Sequence, residues 1–416
     1  KIEVVCDLMF SPYIQEAEKI DILDPHYYET AGWFYNNADV YDKLPDDIPY
    51  KIYVGEYAAI GRPSLYSSLA EAAYLTGVER NADKVQMVSY APLIENAAHG
   101  KDHLLVLKND SVYGRTNYYV LKMFSENRPD VNLHTDLKPA SPEPVFRTNG
   151  FIGLGTNNTE AQFKDLKVIV NGEEIYTSGW SDFVDKWTII RGDWKMEGNL
   201  LSQSQKGIDA LAILEDREFD DCTIDLKAKK ISGTEGFRIV FGGTDSNNYF
   251  MADIGSHTNE SVIFREVNNE GPISLFDYRN TASIKTDQWY TVRIEIEGAH
   301  WKCFLNDELQ YEYTYAPKKK HYVVSGYDRE RKEVIVKLVN AEAGNWKVRL
   351  QLDKAKNLAS KGTKIVLGAD DRFDENSFSD PLKIVPNVTE LSGISSEFTI
   401  DCQANSLTVL RIPCEK

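Results

Sequence analysis

The sequence predicts a multidomain protein with an α/β region followed by two all-β regions. Its 416 residues exceed one ordinary core, because a domain takes roughly 150 residues, so two to four domains are expected. Residues 1 to about 128 alternate strand-like and helix-like segments, which predicts a parallel sheet. Beyond about 129, period-2 strands separated by Gly, Asn and Asp turns predict β-sandwiches.

The α/β region contains the strand-like segments IEVVCDLM, YKIYVGEYA and VQMVSYAPLI. The helical segment SLYSSLAEAAYLTGVERN lies between the last two. Apolar residues spaced i, i+4, i+7 and i+8 from Leu65 predict one buried face, and Ser64 is the predicted N-cap. Glu79 and Arg80 are expected to form an ion pair at the end of this helix.

The two β regions differ in aromatic content. The first has an Asn171-Gly172 hairpin signal and five of the seven tryptophans, Trp180, Trp187, Trp194, Trp289 and Trp301. Exposed tryptophans would stack on sugar rings, whereas tryptophans at inward strand positions would only fill the core, and both interpretations stay open. The last region alternates from EVIVKLVN to SLTVLRIPC, which predicts a second sandwich.

Charge and composition exclude several classes of partner and cofactor. The formal net charge is -17 and no block of Lys and Arg forms a phosphate-tracking patch, so nucleic acid is not an expected partner. No apolar run is long enough to span a bilayer. The spacing of His99 and His103 suits a metal pair, but without a third ligand neither a metal nor another cofactor is predicted.

The chain ends offer two further observations. The sequence opens on KIEVVCDLMF, without a start Met or a signal-peptide pattern, so a mature or truncated product is expected. Five cysteines rule out a dense disulfide framework, although Cys402 and Cys414 are close enough in sequence for a bridge.

Glu56 is the strongest candidate for catalysis. It lies in the stretch IPYKIYVGEYAAIG, towards the end of a predicted parallel strand, where α/β barrels place their reactive groups. The preceding strand ends on DILDPHYY, which supplies His26 and Tyr28 as polar and aromatic groups able to hold a sugar and orient a carboxylate. A strand-end carboxylate paired with a nearby base is the structural alternative.

The segments DPHYYETAGWF, YVGEYA, AEAAYLTGVERNADKVQMVSYAPL and NYYVLKMFSEN resemble the second half of the catalytic barrel of glycoside hydrolase family 51, the α-L-arabinofuranosidases. The resemblance implies that Glu56 is the nucleophile of a retaining mechanism. It also implies that His26 and Tyr28 line the arabinose site. Pro25 departs from the family pattern. Trp33 and Tyr90 are further candidates for substrate binding.

The same resemblance implies a domain plan. Residues 1–130 would be the C-terminal half of a (β/α)8 barrel. Residues 142–316, similar to concanavalin-like jelly-roll modules, would be an insertion, and 131–141 with 317–416 would form the C-terminal β-sandwich.

The implied activity is that of an exo-acting, non-reducing-end α-L-arabinofuranosidase releasing arabinofuranosyl groups from arabinan or arabinoxylan. The family's acid/base glutamate lies in an Asn-Glu pair upstream of the matching segments, so it is expected outside this chain. This chain alone should then be inactive, and its partner would be the N-terminal half of the enzyme or a second chain. The substrate class favours a periplasmic or extracellular location. The alternative function is a non-catalytic carbohydrate-binding or scaffolding chain.

Overall fold

The computed structural model describes two compact units. One comprises residues 1–141 with 318–416, and the other residues 142–317. The described residues are 5–7, 20–98, 104–140, 145–178, 180–181, 183–268, 271–275, 282–317, 319–353 and 355–414. His99 and His103 lie outside them. No described helix combines the length and apolar character needed to cross a bilayer.

The first unit opens with a parallel sheet and the helices that cover one side of it. The elements are β1 (Val5–Asp7), β2 (Ile22–Asp24), β3 (His26–Thr30), α1 (Ala31–Asn36), a 3-10 helix (Val40–Lys43), β4 (Lys51–Ile60), α2 (Leu65–Arg80), β5 (Val85–Tyr90), β6 (Ile94–Asn96), β7 (Leu105–Lys108), β8 (Ser111–Gly114) and α3 (Thr116–Glu126). Strands β1, β2, β3 and β5 pair in parallel with their neighbours around β4, while β6, β7 and β8 form a separate small sheet.

Pro25 divides one physical strand into β2 and β3. Proline has no backbone N–H, so the hydrogen-bond ladder is interrupted at this residue. β2 pairs with the first part of β4, with Leu23 opposite Ile52, and β3 pairs with the later part, with His26 opposite Glu56. Between these two pairings β4 contains one residue more than the facing strand, and His26 lies directly beside Glu56.

Helix α2 is buried on every side, not along one face. All residues from Leu65 to Gly77 are buried, because α2 packs between the parallel sheet and a sheet from the end of the chain. Its predicted N-cap is confirmed: Ser64 accepts from the Ser67 N–H in a capping box. The prediction of a single apolar face was wrong because a sequence pattern cannot show that a second sheet covers the opposite side.

The end of the chain forms a β-sandwich in the same unit. Its strands are β9 (Val131–Leu133), β25 (His321–Asp328), β26 (Glu333–Asn340), β27 (Trp346–Gln351), β28 (Lys361–Gly368), β29 (Asn387–Ser392), β30 (Glu397–Cys402) and β31 (Ser406–Pro413), the numbers between belonging to the second unit. Six of these strands form one sheet, in the order β29-β28-β31-β26-β25-β9, and β27 pairs with β30. Cys402 and Cys414 are buried free thiols and form no bridge.

A segment of this sandwich caps the helices of the α/β part. The first N–H groups of a helix have no partner within the helix. The carbonyls of Asp374 and Arg372 accept from the N–H groups of Leu65 and Tyr66 at the start of α2. The Glu375 carboxylate accepts from the Thr116 N–H, at the start of α3, at 2.9 Å. The helix ends therefore depend on residues far along the chain.

The second unit is a two-sheet sandwich. It contains β10 (Gly150–Asn157), β11 (Thr159–Val170), β12 (Glu173–Ser178), α4 (Phe183–Lys186), β13 (Trp187–Arg191), β14 (Trp194–Glu197), β15 (Leu200–Gln203), β16 (Asp209–Phe219), β17 (Cys222–Gly233), β18 (Phe237–Asp245), β19 (Asn248–Gly255), a turn at Ser256–Asn259, β20 (Ser261–Asn268), β21 (Gly271–Leu275), β22 (Trp289–Glu297), β23 (His300–Leu305) and β24 (Glu308–Thr314). Seven strands form one sheet and eight form the other, and the main core lies between them.

Four of the five tryptophans of this unit are core residues. Trp180, Trp187, Trp194 and Trp301 are buried, and each indole N–H donates to a partner in the protein. Only Trp289 is partly exposed. The interpretation as core residues therefore holds for these four, because all of them belong to the hydrophobic core of this unit.

A buried ion pair joins α2 to the terminal sandwich. Lys337 on β26 is fully buried, and its Nζ lies 2.7 Å and 2.5 Å from the two carboxylate oxygens of Glu79. The predicted Glu79–Arg80 pair was wrong, because Arg80 binds Asp42 instead. Glu79 faces the sandwich, and sequence proximity did not reveal its partner.

Loss of Lys337 alone should be strongly destabilising. Lys337→Met leaves the Glu79 carboxylate buried without its cation, so the free energy of unfolding should fall by about 3–5 kcal/mol. Adding Glu79→Leu should restore most of the loss, because an apolar pair has no charge to desolvate. Urea unfolding measures both variants. Lys361→Ala, which breaks the exposed pair with Glu390, should cost no more than about 1 kcal/mol. A Lys337→Met cost as small as that of the control would contradict this account.

Candidate active site

The candidate site lies on the side of the parallel sheet opposite α1 and α2. Tyr57, next to Glu56, packs against Phe34 and Tyr74 on the helices. Because side chains alternate along a strand, Glu56 points to the other side. His26 is its direct neighbour on β3, and Tyr28, two residues further, shares the same face. Parallel pairing therefore brings three of the predicted site residues together.

Tyr28 and His26 both contact one oxygen of Glu56. The Tyr28 hydroxyl donates to Glu56 Oε2 at 2.5 Å, and His26 Nδ1 lies 3.6 Å from the same oxygen. The Glu56 side chain is 41% exposed, whereas that of His26 is 14% exposed. Among the described residues no hydrogen bond or ion pair is made to the other oxygen, Glu56 Oε1.

Asp24 supports the arrangement from behind. Its Oδ1 accepts from the Gly55 N–H at 2.7 Å and lies 3.4 Å from His26 Nε2. A Cβ on residue 55 would lie 2.3 Å from that oxygen, so the close approach requires glycine. Asp24 therefore ties the residue before Glu56 to the histidine beside it. It belongs to the same sequence cluster, DILDPHYY, as His26 and Tyr28.

The Tyr28 phenol is held in its protonated, donating form. Partial burial raises its pKa to about 12, and the hydrogen bond to Glu56 and the charge of that carboxylate act in the same direction. A phenol with this pKa keeps its proton throughout the neutral range. It can therefore donate continuously to Glu56 Oε2.

The structure does not place Trp33 and Tyr90 with the Glu56 group. Trp33 packs on the helix side of the sheet, with its ring centroid 4.9 Å from that of Tyr27 and 5.2 Å from that of Phe34. Tyr90 is only 8% exposed, and its hydroxyl donates to Glu71 at 3.3 Å. Both side chains therefore pack behind the site, and a direct role for them in substrate binding stays a prediction.

The sequence pattern did not single out Glu71, a carboxyl group buried behind β4. It is 2% exposed, on α2, and its Oε1 accepts from the Ala59 N–H at 2.9 Å as well as from Tyr90. Burial raises its pKa to about 8, and the nearby charge of Glu375 adds to this, although the hydrogen bonds oppose it. The feature that could have pointed to Glu71 is a single carboxylate among small apolar residues in SLAEAAYL. Such a pattern is also common on exposed helix faces, so it did not distinguish Glu71.

The chemistry available to this group is that of a carboxylate. Across the described ranges no three or more His, Cys, Asp or Glu side chains are arranged so that they could hold a metal ion. Glu56 has one oxygen contacted by a phenol and an imidazole and one oxygen without a polar contact among the described residues, which suits attack on an electrophilic carbon.

Comparisons with known proteins identify the family. The profile of the α-L-arabinofuranosidase C-terminal domain matches residues 41–406. The chain is 29% identical over 405 residues to the extracellular exo-α-L-arabinofuranosidase of Streptomyces chartreusis, covering 96% of this chain and 48% of that protein. It is 31% identical over 245 residues to α-L-arabinofuranosidase 1 of Arabidopsis thaliana, covering 56% of this chain and 35% of that protein.

A solved structure supports the fold. An arabinose-bound family 51 α-L-arabinofuranosidase aligns with 100% of this chain and 40% of its own, with a TM-score of 0.51 and 15% identity. The chain therefore belongs to the α-L-arabinofuranosidase C-terminal domain family, and the resemblance read from the sequence is confirmed. It spans about half the length of its relative from Streptomyces chartreusis.

The buried Glu71 should make stability fall as pH rises. Its folded pKa of about 8 lies above the unfolded value of about 4.3, so between these values the unfolded chain has released the proton and the folded chain retains it. The stability contribution is complete below pH ~4 and is lost towards pH ~8, by on the order of 5 kcal/mol.

Glu71→Gln, which cannot titrate, should remove this slope. Urea unfolding at a series of pH values measures it, and Tyr90→Phe serves as the control because it deletes a hydroxyl partner and keeps the titrating group. Equal slopes in wild type and Glu71→Gln would show that Glu71 is not the group responsible.

Proposed function

We propose that this chain supplies the nucleophile of a retaining α-L-arabinofuranosidase, and that Glu56 is that nucleophile. The observation that carries the proposal is the 2.5 Å hydrogen bond from Tyr28 to Glu56 Oε2, with His26 beside the same oxygen. Two groups fix one oxygen and leave the other for the substrate. Membership of the arabinofuranosidase family supports the reaction class.

The proposed reaction is a double displacement. Glu56 Oε1 forms a bond to the anomeric carbon as the bond to the leaving oxygen breaks, through an oxocarbenium-like transition state. A second carboxyl group gives its proton to the leaving oxygen. That group, now ionised, removes a proton from water, which attacks the anomeric carbon and releases Glu56. Arabinose leaves with its configuration retained, and the reaction needs no cofactor.

The acid/base carboxyl group is proposed to lie outside these 416 residues. Retaining enzymes hold the two carboxyl groups about 5 Å apart. We place residues 1–130 in the second half of a (β/α)8 barrel, which would be completed by the N-terminal half of the enzyme or a second chain. The parallel sheet with helices on one side supports this, and within the described residues β1 and β5 each pair along one edge only.

The proposed substrates are terminal α-L-arabinofuranosyl groups of arabinan or arabinoxylan. The relative from Streptomyces chartreusis is named as an exo-acting enzyme, which supports attack at chain ends. The competing function, a non-catalytic carbohydrate-binding or scaffolding chain, would give no hydrolysis in any assembly.

Removing the Glu56 carboxylate should abolish hydrolysis and allow chemical rescue. In the enzyme assembled with the rest of its barrel, Glu56→Ala should lower kcat on an aryl α-L-arabinofuranoside by about three orders of magnitude or more. Added azide should restore turnover and form the arabinosyl azide of inverted configuration, because azide enters from the side that Glu56 vacates. NMR of the product determines the configuration.

Glu29→Ala is the matched control, since Glu29 is adjacent to Tyr28 and therefore points to the opposite side of β3. It should retain activity. An azide product of retained configuration would assign Glu56 as the acid/base group instead, and unchanged hydrolysis in Glu56→Ala would reject any catalytic role.

Tyr28→Phe should slow the reaction without destroying the site. The change deletes the donor to Glu56 Oε2, and a hydrogen bond to a charged group contributes about 1.5–3 kcal/mol, so kcat should fall roughly tenfold to hundredfold. Tyr53→Phe is the control, because Tyr53 lies on β4, the strand of Glu56, and its hydroxyl forms a hydrogen bond with Ser89 instead. Steady-state kinetics that gave equal effects for both variants would remove Tyr28 from the mechanism.

A further inference from the structure

Trp289 differs from the other tryptophans of the second unit. It begins β22 on the outward face of the eight-stranded sheet, and it is half-buried where the other four are buried. Lys229 on β17 is its direct cross-strand partner, and Gln162 on β11 is the next residue in that row. A row across three central strands therefore ends on an accessible indole ring.

Two lysines approach this ring. Lys164 Nζ lies 4.3 Å from the ring centroid and Lys229 Nζ lies 5.1 Å from it. Neither ammonium is within ion-pair distance of a carboxylate in the described part of the chain. The neighbouring cations do form ion pairs: Lys227 with Asp165, and Arg293 with Asp225.

Positive charge that is not neutralised by an ion pair is therefore concentrated beside the indole ring of Trp289. A chain with a formal net charge of -17 repels polyanions as a whole. Two ammonium groups without an ion-pair partner in the described part of the chain, beside one aromatic ring, therefore form a local site that attracts anions. Both groups sit on flexible stems and can move from the ring to a ligand carboxylate.

We propose that Trp289, Lys164 and Lys229 form a binding site for an acidic polysaccharide, one whose sugar rings carry carboxylates. The apolar face of a sugar ring stacks on the indole, and the uronate carboxylate replaces the ring as the partner of the lysines. The site lies in the second unit and takes no part in the proposed reaction of Glu56. It would hold the enzyme on a charged polymer.

Polygalacturonate and its methyl-esterified form are a suitable pair of probes, because they share a backbone and differ in charge. Isothermal titration with the 416-residue chain should show tighter binding of the acidic polymer, weakening as salt is added. Trp289→Ala should weaken binding of both polymers at least tenfold. Lys164→Gln with Lys229→Gln should remove the preference for the acidic form.

Lys227→Gln is the matched control, since it removes a cation of the same face that is already paired, and it should bind as the wild type does. Thermal unfolding checks that each variant is folded. The proposal is overturned if neither polymer binds, if Trp289→Ala binds normally, or if Lys227→Gln loses as much as the double variant. Equal binding of dextran sulfate by wild type and Trp289→Ala, at the affinity seen for polygalacturonate, would show general polyanion attraction and also overturn it.

Discussion

The parallel pairing of β3 with β4 is the constraint on which the candidate site depends. It puts His26 opposite Glu56, and the period of two along β3 puts Tyr28 on the same face. This register differs by one residue from that of β2 with β4, because β4 contains one extra residue between Ile52 and Glu56. A slip of one residue would turn His26 and Tyr28 towards the helices and leave Glu56 without either contact.

That pairing is held in place by contacts distant in sequence. Helix α2 is enclosed between the parallel sheet and the terminal sandwich, and Lys337 from the sandwich neutralises Glu79 at its end. Backbone carbonyls at Arg372 and Asp374 complete its first turn. The sandwich therefore stabilises the sheet that carries Glu56, which gives it a role in the site although none of its residues contacts that carboxylate among those described.

The sequence predicted those features that depend on residues close to one another in the chain or on successive strands. Glu56, His26 and Tyr28 could be predicted to lie together because they belong to successive strands of one parallel sheet, and Ser64 could be predicted as a cap because capping acts within one turn. Lys337 and Glu71 could not, since their partners are distant and both look like surface residues in sequence. The burial of α2 on all sides could not be predicted for the same reason. The number of tryptophans did not show which rings lie in the core and which one, Trp289, is partly exposed.

Two glutamates, Glu56 on β4 and Glu71 on α2, lie on opposite sides of β4. Glu56 is open to solvent, whereas Glu71 is sealed behind the strand and bound to the Ala59 N–H, about 10 Å along the backbone from Glu56. A charged Glu71 would add a second negative charge near Glu56 in a region of low dielectric. Because burial keeps Glu71 protonated at neutral pH, it can anchor the end of β4 through hydrogen bonds without repelling that carboxylate. The strand that presents the proposed nucleophile is thus fixed from behind by a neutral acid.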